Sequence, residues 1–167
     1  MFDIFYQLVV TAFLATILFS AVSAINVCPS GWQEYEFACH YYNPIPLSFD
    51  NASKACNDLL PGSWLAIPRH GSEHNFISSM RTSGAEAWVG YSTLRQTPFA
   101  TETGSLTAPY VPWESVPDGT VANQCAHLVS NYWSWRAVDC ELKKPSLCMA
   151  CKFGLHALYT ILTFNFI

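Results

Sequence analysis

Apolar positions along this chain change their spacing several times, and each change predicts an element. Residues 4–22 are almost continuously apolar, interrupted by Tyr6, Gln7, Thr11, Thr16 and Ser20. The run ends in Val22-Ser23-Ala24, small residues of the kind that precede a signal-peptidase cut. This predicts a signal peptide over residues 1–24. An uncleaved anchor is the alternative, because Asp3 stands where an export signal carries positive charge.

Beyond Ala24 the pattern is that of a folded domain. Cys28 to Trp32 carry turn chemistry, and Trp32, Tyr35 and Phe37 then alternate like one face of a half-buried strand. Ser48 is placed to cap a helix, its side-chain oxygen accepting a free backbone N–H. Phe49, Ala52, Cys56 and Leu59 follow at helical spacing, Asp50, Lys54 and Asp58 face water, and Pro61-Gly62 stops the run. A second helix is expected from Ser72, burying Phe76, Ile77 and Met80 and ending at Ser83-Gly84. Ala87 to Tyr91 read as a buried strand whose Gly90 lets a neighbouring backbone come close. Residues 92–112 lack periodicity and are rich in Thr, Ser, Gly and Pro, as long functional loops often are. Residues 125–129 and 146–149 are short strand candidates on either side of Trp133 and Trp135.

Composition narrows the class. The chain has 167 residues, 15% of them aromatic and 12% charged, with a net charge of −4. After Ala24 there is room for one domain, on the rule of roughly 100–200 residues each, and it is assigned to residues 25–150. The acidic balance argues against nucleic acid held through its phosphates. No nucleophile elbow, zinc-protease helix or phosphate-cradling glycine loop occurs, so an enzyme is not expected. His70 and His74 are four apart, but no third ligand accompanies them, and both read as surface histidines.

Seven cysteines follow the export signal, at positions 28, 39, 56, 125, 140, 148 and 151. In an exported chain they read as a disulfide framework, although six cysteines alone allow about 15 connectivities.

Several motifs occur in one order. Cys28-Pro29-Ser30-Gly31-Trp32 opens the domain, Cys56 lies on the first helix, Trp88-Val89-Gly90-Tyr91 forms a strand, and Trp135 precedes Cys140 by five residues. In these the chain resembles the C-type lectin-like domain, in its long form with an extra N-terminal disulfide, over residues 28–149. The resemblance implies an α+β fold: two helices packed on small antiparallel sheets, with a long irregular loop region. It also implies the bridges Cys28–Cys39, Cys56–Cys148 and Cys125–Cys140. Cys148-Met149-Ala150-Cys151 is then no redox pair, since Cys148 is committed to the closing bridge, and Cys151 is left over.

Sugar-binding members of that family chelate Ca²⁺ through a Glu-Pro-Asn type loop, a Glu before the next cysteine, and an Asn-Asp pair after the Trp. Here those places hold Val116-Pro117-Asp118, Asn123 and Arg136-Ala137. Val116 and Ala137 bring no side-chain oxygen, and Arg136 puts a fixed cation where a dication would sit. Calcium is therefore not expected as a cofactor. If it binds after all, its ligands would be Glu114, Asp118 and Asn123. Arg136 either pairs with Asp118, closing a dead site, or grips an acidic glycan through its fork.

The ligand is expected to be a glycan or a protein surface, met by Tyr110, Trp113, Asp118, Asn123, Trp133 and Arg136. Trp88 and Trp135 are assigned to the core. Trp133 divides evenly between core and contact, while Trp113 and Tyr110 lean to contact. Asn51-Ala52-Ser53 is a glycosylation acceptor on the outer face of the first helix. The apolar tail over residues 151–167 is too short to span a membrane, which takes about 20 residues, and its role stays open. Cys151 is available for a disulfide-linked dimer. The expectation is a secreted, extracellular, calcium-independent binding domain; an ordinary calcium-dependent lectin is the alternative.

Overall fold

β1 (Gln33–Tyr35) and β2 (Ala38–Leu47) form a hairpin that reverses at Glu36, a residue at φ 50°. The reversal throws Phe37 to the outside, 76% exposed, so the expected half-buried alternation stops at Tyr35. β2 then runs antiparallel to β8 (Lys144–Cys151), from Ala38 opposite Cys151 to Leu47 opposite Lys144, with an irregularity between Asn43 and Leu47. The computed structural model describes residues 28–94, 100–101, 110–129 and 134–152. Within these, Ser30–Cys151 make one compact unit.

α1 (Phe49–Leu59) presents Phe49, Ala52 and Cys56 to the core, as their spacing predicts. Two details differ. The Ser48 hydroxyl accepts from the Asn51 side-chain amide at 2.9 Å instead of capping a backbone N–H. Leu59, on the last turn, is exposed. The chain leaves the helix through Gly62, at φ +83°, whose N–H donates to Asn57 Oδ1.

α2 (Gly71–Ser79) starts before Ser72 because His70 caps it, Nδ1 accepting from the Glu73 N–H. It ends at Ser79, and a separate 3₁₀ turn follows at Thr82–Gly84. Its buried face is Glu73, His74, Ile77 and Ser78, with Phe76 and Met80 half-buried at the margin. The stripe rotates by this much because Glu73 is drawn inward. Arg69 grips both its carboxylate oxygens, at 2.9 and 3.0 Å, and His40 Nε2 stands 3.2 Å away.

β3 (Trp64–Leu65), β4 (Ala87–Ser92), β5 (Ala100–Thr101), β6 (Gln124–Leu128) and β7 (Trp135–Asp139) complete the sheet. Its order is β1-β2-β8-β4-β6-β7, with β3 on β8 and β5 on β4. The fold is α+β as expected, but the strands form one connected sheet instead of separate small ones. The joint is a parallel pairing of Trp88 with Ser146. Gly90 is essential beside that joint: a Cβ there would lie 2.4 Å from the Leu65 carbonyl oxygen.

Apolar side chains fill two clusters. One joins Ile77, Val89, Tyr91, Leu128, Trp135 and Leu147; the other joins Phe49, Cys56, Leu65, Trp88 and the two internal disulfides. Trp88 and Trp135 are both fully buried, as assigned. Cys56–Cys148 ties α1 to β8, and Cys125–Cys140 ties β6 to the residue after β7. Cys28 and Cys39 are both disulfide-bonded, in keeping with the third bridge. Cys151 is a free, exposed thiol. Among the described residues no helix is long and apolar enough to cross a membrane.

Candidate ligand-binding face

Past β7 the sheet gains a further short piece of chain. Trp135 N–H donates to the Pro112 carbonyl at 2.8 Å, and Glu114 N–H donates to the Trp135 carbonyl at 2.9 Å. Trp113 is thereby bridged to Trp135 in parallel register. Its ring stands edge-on to Trp135, 5.7 Å between centroids, and 6.1 Å from Tyr91. That packing leaves Trp113 half-buried. Tyr110 is half-buried too, its ring set over His74 and against Gly71.

Alternation along β7 turns Arg136 away from the core that Trp135 fills. Arg136 donates from Nε to Glu114 Oε2 at 2.8 Å, and Nη2 reaches the same oxygen. Both side chains keep solvent access, 49% for Arg136 and 38% for Glu114. The pairing with Asp118 expected from the sequence does not form. Asp118 binds within its own turn, accepting from the N–H and hydroxyl of Thr120, which together hold its carboxyl below the usual range.

Asn123 adopts a left-handed backbone, φ 59°, and donates its side-chain amide to Asp139 Oδ1 at 3.0 Å. Its carbonyl accepts from Cys140 N–H, so the Cys125–Cys140 bridge and this turn brace one another. The structure therefore brings Trp113, Glu114 and Arg136 together. Asp118 and Asn123 sit in separate local turns. Trp133 lies outside the described residues. Val116, at the tip of the loop, is 86% exposed.

His74 was expected at the surface and is instead wholly buried. The signal was present: residues 74, 77, 78 and 81 repeat at helical spacing, and all four are buried.

The family model for the lectin C-type domain matches residues 45–150. The chain belongs to the C-type lectin family. Lectin BRA-3 from Megabalanus rosa is 26% identical over 148 residues, covering 85% of this chain and 90% of that protein. Among solved structures, a calcium-independent type II antifreeze protein superposes with a TM-score of 0.67 at 21% identity, covering 75% of this chain and 95% of that one. Human lithostathine gives 0.66 at 24% identity, covering 77% and 94%. At such identities the two superpositions establish the fold.

Calcium takes six to eight oxygens. Here Glu114 is bound to a guanidinium, Asn123 Nδ2 is turned to Asp139, Val116 and Ala137 supply no side-chain oxygen, and Asp118 is held by Thr120. This donor set does not fit the ion.

Proposed function

We propose that this is a secreted C-type lectin domain that binds a carbohydrate or protein ligand without calcium. The observation that carries the reading is the Arg136–Glu114 ion pair beside the half-buried Trp113. A half-buried indole, a fixed cation and a carboxylate offer one apolar surface, several donors and an acceptor within a short span. Sugars need that combination, and so do polar protein surfaces with an aromatic anchor. Glu114 already neutralises Arg136, so a neutral polyhydroxyl or amide surface fits better than a strongly acidic glycan. Asp118, Asn123 and Trp133 belong to the wider face in this reading.

Residues 1–24 act as the export signal and the domain spans residues 25–150, with glycan attached at Asn51, whose side chain is exposed. The tail over residues 151–167 follows, and the exposed Cys151 is the site of a disulfide-linked dimer. BRA-3 carries the name of a lectin and one fold neighbour that of an antifreeze protein, in keeping with a role other than catalysis.

A glycan array run in calcium and again in chelator tests the reading. Equal signal in both, lost in Arg136→Ala, supports it. Signal only in calcium overturns it, and silence in both transfers the ligand to the protein class.

A further inference from the structure

His74 is buried completely within α2, beneath the stretch of chain that carries Tyr110 and Trp113. Its ring centroid lies 5.5 Å from that of Tyr110 and 6.3 Å from that of Trp135. Among the described residues its two buried ring nitrogens meet at most the side chain of Asn75. Gly71, one helical turn earlier, lies under the same ring: a Cβ there would rest in ordinary contact with the Tyr110 hydroxyl, at 3.5 Å. Tyr110 thus seals an imidazole that fits its site only while neutral. A charge without a partner in such a place is costly, and exposure to water is the ready escape.

The groups around it offer the cation little help. Arg81, following α2, donates to the carbonyls of Ser78, Ala85 and Val129 and repels a second positive charge. Asn75 on the same helix favours the charged form through its side-chain hydrogen bond, against burial. Glu73, the adjacent residue, is committed to Arg69 and His40. Tyr110 from the loop and Trp135 from β7 present rings, and among the described residues no carboxylate pairs with His74. Burial first, then Arg81, push its pKa below the ordinary 6.5.

We infer that His74 makes the ligand face acid-sensitive: protonation drives Tyr110 off α2 and loosens the attached segment through Glu114, so that ligand held at neutral pH is released on acidification. The ligand half of this rests on the reading above; the loosening is a property of the protein alone. The closed arrangement is fully favoured above pH 6.5 and loses ground as pH falls below it. With one proton taken up per opening, the open-to-closed ratio rises at most about tenfold per pH unit.

The test is hydrogen exchange, expressed as protection factors, between about pH 7.5 and about pH 5, where histidines titrate. The amides read are Glu114 and Trp135, which zip the segment to β7, with Gly90, bonded to the Ala66 carbonyl, as the core reference. The expected result is a progressive loss of protection at Glu114 and Trp135 that outruns any loss at Gly90, and no such excess in His74→Phe. Constant protection, loss in step with Gly90, or equal loss in His74→Phe overturns the inference. A second variant, Tyr110→Ala, guards against a misfolded His74→Phe: the NMR titration midpoint of His74 should rise towards the ordinary histidine value, and an unchanged midpoint also overturns it. A glycan array silent at neutral pH would defeat the ligand reading while leaving the exchange result to stand or fall alone.

Discussion

Arg136 on β7 and Glu114 on the segment beside it, 22 positions apart in the chain, share one hydrogen-bonded ion pair at the rim of the sheet. Both partners are more than a third exposed, so the pair contributes under about 1 kcal/mol to stability. Arg136→Ala should therefore leave the denaturant midpoint almost unchanged while abolishing ligand capture. A large loss of stability, measured by chemical unfolding, would show that the pair is structural.

Gly90 is a test of the fold itself. With the Leu65 carbonyl oxygen 2.4 Å from any added Cβ, the neighbour in the way is backbone that cannot rotate aside. Gly90→Ala should destabilise the domain by about 2–3 kcal/mol, the scale of an overpacked core. Guanidinium unfolding of purified protein measures it, and an unchanged midpoint would mean that residues 64–67 do not run beside β4.

The Cys125–Cys140 bridge closes a loop of 15 residues. Chain-entropy arithmetic assigns such a bridge about 3 kcal/mol. Replacing both cysteines by serine should cost about that much and free the Asn123 turn that it braces, which amide exchange at Cys140 would report.

Acid should weaken the domain in two stages. His127 is buried, and burial foremost, with Lys144 adding repulsion and Glu86 opposing, lowers its pKa to about 4. Its contribution is complete above pH 6.5 and is lost as pH falls towards 4. Burial would raise the pKa of Glu73, but its contacts with His40 and Arg69 outweigh that and bring it to about 2. Its contribution is complete above pH 4.5 and drains away as pH falls towards 2. Unfolding midpoints measured against pH should fall in both windows, the first step reduced in His127→Phe and the second in Glu73→Gln.

Much of this was legible in the chain because it rests on local periodicity. The Phe49, Ala52 and Cys56 stripe, the burial of Trp88 and Trp135, and the close approach at Gly90 follow from spacing and residue type. What escaped depends on distant partners. The buried face of α2 is rotated because Glu73 meets Arg69 and His40, and His40 lies on a strand more than thirty residues earlier. Phe37 looked like a strand position until Glu36 turned the chain outward. At the candidate face, Arg136 drew notice from its place after Trp135 in the family motif, and Trp113 as an aromatic beside the loop. The partner of Arg136 was not, because the register of residues 112–114 against β7 selects Glu114 over Asp118.

Calcium is the most direct arbiter. Calorimetric titration of the purified domain with Ca²⁺ at neutral pH should give no binding heat, with ligand capture the same in calcium and in chelator. A site of millimolar or tighter affinity, with capture lost in chelator and unaffected by Arg136→Ala, would contradict the account.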